Sequence, residues 1–264
     1  VLATVCSAAP AAAAPQVTLS ALFQPDRLGQ STTIHWGFAI SEPAPLRSLE
    51  LRLPAGMGFA ASSLGLEECQ PALLAQLGPE GCPADSHIGF GTALAEVPAT
   101  TPVRERANVT ALLGPYEGED MTVLFFVDGR WPANREIILT SHLRHIGGAQ
   151  GATLQTEVPL LSAWPEGPDI GLLRFRSTIG PDRITYYRRV HGRTVGFTPR
   201  GLTVPKRCPR GGFPVTATFT WWASESPATA TTRVPCPGTD AKGLRPARVR
   251  TLASSPIEVH DAAT

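Results

Sequence analysis

MTVLFFV, residues 121–127, is apolar at every position but Thr122. A strand sends successive side chains to opposite faces. A run that is apolar on both faces must therefore be covered on both, which is the position of a central strand. Asp128-Gly129 follows, a hairpin-turn dipeptide, and Glu136–Thr140 (EIILT) reads as the return strand.

Outward from this run the dominant period is two. Val17, Leu19, Ala21 and Phe23 occupy alternate places, as do Thr32, Ile34, Trp36, Phe38 and Ile40. Leu49, Leu51 and Leu53 do the same, and so do Val103, Ala107, Val109, Ala111 and Leu113. Leu173, Phe175 and Ser177 alternate with Arg174 and Arg176, and Val215, Ala217, Phe219 and Trp221 alternate with threonines. These are half-buried strands. Ile184–Val190 and Thr194–Thr198 flank His191-Gly192, a second hairpin, and Ala228–Val234 can pair back across residues 223–227. One short helix is expected over Gln70–Leu77, with Pro71 near its start and Gly78 past its end. With 25 Gly and 26 Pro in 264 residues, long helices are excluded. The expected fold is all-β, sandwich or jelly-roll-like, with about a dozen short strands. It is read as one domain over residues 16–238. A split, if there is one, falls between 147 and 168, in GGAQG (147–151) or AWPEGP (163–168). Residues 239–264 read as a loose C-terminal tail.

Net charge is +1 and 42% of residues are hydrophobic, which excludes the disordered class. The basic residues are 21 Arg and 2 Lys, a bias of GC-rich coding rather than a functional mark. Residues 1–15, VLATVCSAAPAAAAP, read as the remnant of a secretory signal peptide with an A-x-A site near Ala11–Ala13. An Ala-Pro-rich tail of a cytosolic chain is the competing reading. Val5 stands before Cys6 where a lipoprotein signal has a small residue. No later stretch reaches the ~18 apolar residues of a membrane helix. The expected location is secreted or at the cell surface. Cys69, Cys82, Cys208 and Cys236 then form an even set in an oxidising compartment. Local pairing is expected, Cys69 with Cys82 and Cys208 with Cys236. No Cys-x-x-Cys supports zinc.

LRLPAGMGF (51–59), LGLEEC (64–69), GCPADSHIGFGTALAEVP (81–98), FRSTIGPDRITYYRRVHGRTVGFTPRG (175–201), KRCPRGGFPVTATFTW (206–221) and VPCP (234–237) resemble an uncharacterised family of exported proteins from high-GC Gram-positive bacteria. The resemblance spans most of residues 45–237. It implies export and lineage, and brings no catalytic residues and no substrate.

No catalytic, cofactor-binding or metal set stands out. Gly56-Met57-Gly58-Phe59-Ala60-Ala61 matches a dinucleotide fingerprint but lacks its βαβ surroundings, so it reads as a turn. His142 and His145 are spaced for a helix face, but on a strand they point apart; they read as exposed loop residues. The acidic loop Tyr116–Asp120 (YEGED) lacks the ligand spacing of a calcium loop. No G-x-S-x-G elbow is present.

Charge is uneven. Residues 1–132 carry 6 basic and 13 acidic side chains, net −7; residues 133–264 carry 17 and 9, net +8. Arg174, Arg176, Tyr186, Arg188, Arg189, His191 and Arg193 form a candidate anion- or partner-binding strip on one hairpin, Arg supplying planar forks for anions and Tyr a stacking face. The functional expectation is an exported, non-enzymatic β-sandwich, a binding or structural module at the cell envelope that contacts an anionic polymer or another surface protein. No specific nucleic-acid partner is expected. The alternatives are an extracellular glycan hydrolase with an unrecognised carboxylate pair, and a self-assembling surface protein whose acidic half docks on a neighbour's basic half.

Overall fold

A computed structural model describes residues 15–59, 67–147, 150–180, 184–198, 201–238 and 257–260. Residues 1–14 of the expected signal-peptide remnant lie outside the described residues, as do 239–256 and 261–264 of the expected tail.

The chain is all-β. Its strands are β1 (Val17–Gln24), β2 (Ser31–Ala44), β3 (Leu46–Pro54), β4 (Gly58–Phe59), β5 (His87–Val97), β6 (Val103–Leu113), β7 (Met121–Gly129), β8 (Glu136–His145), β9 (Gln150–Glu157), β10 (Gly171–Ile179), β11 (Ile184–Val190), β12 (Arg193–Phe197), β13 (Leu202–Thr203), β14 (Phe213–Trp221), β15 (Ala228–Val234) and β16 (Ile257–His260). One helix, α1, spans Pro71–Leu77. Thirteen strands make one sheet in the order β15, β14, β3, β9, β8, β7, β6, β5, β10, β2, β13, β4, with β1 also on β2. A smaller sheet runs β12, β11, β16.

The large sheet folds back on itself. Phe38 on β2 meets Phe219 on β14 edge to face at 4.9 Å, and Phe23 on β1 meets Phe213 on β14 at 5.6 Å. β1 lies against β15, so the two ends of the sheet approach each other. The residues enclosed are those set by the period of two. Ile34, Trp36, Phe38 and Ile40 are buried together with Leu49, Leu51 and Leu53, and with Val215, Ala217, Phe219 and Trp221.

β7 is central, between β6 and β8. Met121, Val123, Phe125 and Val127 face the main core. Leu124 and Phe126 face outward beneath α1, in a second cluster with Leu74, Leu112, Cys69 and Cys82. The helix and its disulfide are the second cover that MTVLFFV required. Both local disulfides are present, Cys69–Cys82 and Cys208–Cys236. The second clamps the chain before β14 to the chain after β15.

Several expectations shift. Asp128 and Gly129 stay in β7, paired with Glu136 and Ala107, and the turn falls at residues 130–135. The apolar rung Val127–Ile137 sets that register, leaving no room for a two-residue turn at 128–129. β5 and β9 were not anticipated. β8 and β9 pair directly across residues 146–149, and β10 rejoins the same sheet after 158–170. His142 and His145 lie on β8, not in a loop. Ile257–His260, within the expected loose tail, runs parallel to β11.

Candidate functional site

The inner face of the folded sheet is not filled at one end. On β5 the inward positions are Gly89, Gly91, Ala93 and Ala95, by register with Ala111, Val109, Ala107 and Glu105 of β6. Ala107 in turn pairs with Gly129 of β7. The rung Ala93–Ala107–Gly129, small on three adjacent strands, and Ala95 beyond it border a chamber of ≈ 140 Å³. Trp36, Phe38, Phe125 and Phe175 form its inner wall, with Leu49, Ile137 and Leu139. Phe175 lies 5.2 Å from Trp36 and 5.8 Å from both Phe38 and Phe125, ring centre to ring centre.

The chamber opens where Pro45, Ala95, Ala133, Arg135, Pro159, Leu161, Ile170 and Leu172 meet. Ala95 and Leu172 stand on β5 and β10, and the others belong to turns at one end of the sheet. Three exposed tryptophans lie on turns of this end: Trp131 (72% exposed) in the β7–β8 turn, Trp164 (49%) in the β9–β10 connection, and Trp222 (45%) just after β14. The Trp222 indole N–H donates to the Val158 carbonyl at 3.1 Å, and the Arg47 guanidinium sits 5.3 Å from its ring centre. Leu161 and Ile170 close the base of the loop that carries Trp164, the Ile170 N–H donating to the Leu161 carbonyl at 2.7 Å.

Polar groups in the wall are few. Thr156 is held by Ser141 on the neighbouring strand, hydroxyl to hydroxyl at 2.6 Å. Glu105 is the one carboxyl in the lining, and it accepts the Ala133 N–H at 3.1 Å. The two-carboxylate chemistry of glycoside hydrolysis needs a second acid across the groove; among the described residues the chamber wall supplies one.

The expected arginine strip is divided. Arg174 and Arg176 are on β10 in the large sheet, while Arg188, Arg189, His191 and Arg193 belong to the β11–β12 hairpin in the small one. Arg189, His191 and Arg193 are exposed there, and His191 and Gly192 make the turn with φ of 49° and 77°. Tyr186 offers no stacking face. It is 2% exposed, stacked on Phe197 with ring centres 5.6 Å apart, and its hydroxyl donates to the His87 carbonyl. Burial, with the charge of Asp85 second, pushes its phenol well above the ordinary range.

Arg174 and Arg176 have other company. Across β5, Leu94 pairs with both Arg174 and Arg106, and Thr92 with Arg176 and Asn108. Arg104 on the same strand is held by Glu96 at 3.3 Å. The basic face is thus built from β6 and β10, 70 residues apart in the chain, and only its β10 half was anticipated. Two of the three YEGED carboxylates have partners. Asp120 takes three hydrogen bonds from Arg144, at 2.5–3.1 Å, which hold its carboxyl below the ordinary value, and Glu117 lies 3.8 Å from His142. Comparison with protein-family models, with curated proteins and with solved structures finds no match to this chain.

Proposed function

We propose that this chain is an exported, non-enzymatic binding module of the cell envelope whose ligand is an apolar molecule held inside the folded sheet. One observation carries the reading: a chamber of ≈ 140 Å³, walled by four aromatic rings and open at one end. Protein interiors leave few voids larger than a water. An open chamber walled by hydrocarbon keeps apolar surface in contact with water, at a cost of roughly 25 cal/mol per Å². A ligand that restores the missing contacts offsets that cost. Two disulfides support an oxidising location. Among the described residues no helix is long and apolar enough to cross a membrane.

The test is calorimetric titration of the full chain with decanol, beside an Ala107→Phe variant. Ala107 lies in the wall between Ala93 and Gly129, and a phenyl ring there occupies the chamber. Saturable one-to-one binding is expected for the native chain. The variant should bind at least about ten-fold more weakly, with its melting temperature within a few degrees of native. Equal binding by both proteins, or none by the native chain, contradicts the reading.

The outer face of β5, β6 and β10 favours a second reading, contact with an anionic envelope polymer. Arg106, Arg174 and Arg176 share that face and make no ion pair among the described residues. Retention on cell-wall material should fall steeply between low and high salt, and fall again when the three are changed to Gln. Salt-independent retention removes this reading and leaves the chamber untouched.

A further inference from the structure

The chamber wall has one carboxyl among its few polar positions. Glu105 stands on the inner face of β6, one inward place beyond Ala107 and level with Ala95, which puts it just inside the mouth. It is 5% exposed. A carboxyl group offers about four acceptor sites on two oxygens. Among the described residues one is filled, by the Ala133 N–H on Oε2 at 3.1 Å. Oε1 lies against Gly129, where a methyl group would fall 2.5 Å from it. Arg135 shares the lining but makes no ion pair with Glu105. Glu105 thus places a carboxyl with open acceptor sites in an otherwise largely apolar wall. Its bond to the Ala133 N–H uses Oε2 alone and leaves Oε1 free to face a ligand.

We infer, building on the chamber reading, that the ligand is a single-chain amphiphile with a primary ammonium head. Its chain lies against Phe125, Phe175 and Trp36, and its head stops at Glu105. An ammonium carries three N–H donors and a charge opposite to the carboxylate. The hydrogen bonds it makes there are charge-assisted. A fatty-acid head would instead bring a like charge to Glu105. A neutral alcohol would bind through its chain and one weaker hydrogen bond.

The experiment is calorimetry on the full chain with decylamine, decanol and decanoate at one neutral pH, repeated on Glu105→Gln. The native chain should bind decylamine roughly ten-fold more tightly than decanol, with decanoate weakest. Glu105→Gln keeps an acceptor for the Ala133 N–H; it should abolish the amine preference while leaving decanol within about three-fold. Equal affinities for amine and alcohol in the native chain, or decanoate as the tightest, overturn the inference but spare the chamber. An amine preference that survives in Glu105→Gln overturns it too. If neither decanol nor decylamine binds, the chamber reading falls and takes the inference with it. The native ranking decides alone should the variant not fold.

Discussion

His87 carries the clearest pH consequence at the scale of single residues. It ends the turn that follows α1 and begins β5. Burial holds its imidazole below the ordinary 6.5, and a hydrogen bond to the Pro79 backbone opposes this in part. The folded state therefore prefers the neutral ring. The unfolded chain starts to take up the proton near pH 6.5, where the native chain still resists. The stabilisation is complete above that value and is lost as pH falls from 6.5 toward the lower folded-state pKa. The urea midpoint should drop between about pH 7.5 and 5.5, and His87→Gln should flatten the drop. An equally steep profile in the variant would place the titration elsewhere. Tyr186 gives a second lesson at this scale. Its place in a tyrosine- and arginine-rich stretch suggested a stacking surface, yet its ring is packed on Phe197 and its hydroxyl is tied to the carbonyl of His87.

Among the elements, α1 and its disulfide matter because β7 is apolar on both faces. Opening the Cys69–Cys82 bridge, which closes a separation of 13 residues, should cost about 3 kcal/mol through chain entropy. It should also loosen the cover over Leu124 and Phe126. Cys69→Ser with Cys82→Ser is expected to lower the urea midpoint and to raise binding of a dye that reports exposed apolar surface. A stability loss with no gain in dye binding would mean that α1 stays docked without the bridge. The alternation that located β2 and β14 was legible because apolar residues, most of them large, occupy their inward places. β14 shows it most clearly, buried at Phe213, Val215, Ala217, Phe219 and Trp221 and less so between. β5 was not legible for the opposite reason. Gly89 and Gly91 stand where bulky apolar residues would mark a strand face, and a methyl group on either would fall 2.2 Å from a backbone oxygen of β10. The strand requires glycine there. The chamber was hidden by the same feature. Its small residues come from β5, β6 and β7, and only the ladder register shows that Ala93, Ala107 and Gly129 are neighbours. The visible trace was Ala93 and Ala95 at alternate places, which have the period of a strand face without its bulk.

For the whole molecule, the topology mixes the two halves of the chain. β3 lies between β9 and β14, and β10 between β2 and β5. The acidic first half and the basic second half are therefore not two faces, and Arg144 answers Asp120 within the one sheet. What the topology sets apart is an inside from an outside, and one end of the inside stays open beside Trp131, Trp164 and Trp222. A molecule that fills this space must also stabilise the fold, by about 2.7 kcal/mol at a hundred-fold excess over its Kd. The most direct measurement is anomalous diffraction from crystals of the full chain equilibrated with decanol bearing a terminal bromine. The account predicts one strong bromine peak among Phe125, Leu139 and Phe175. A chamber closed by repacked side chains, with bromine only on the outer surface, would contradict it.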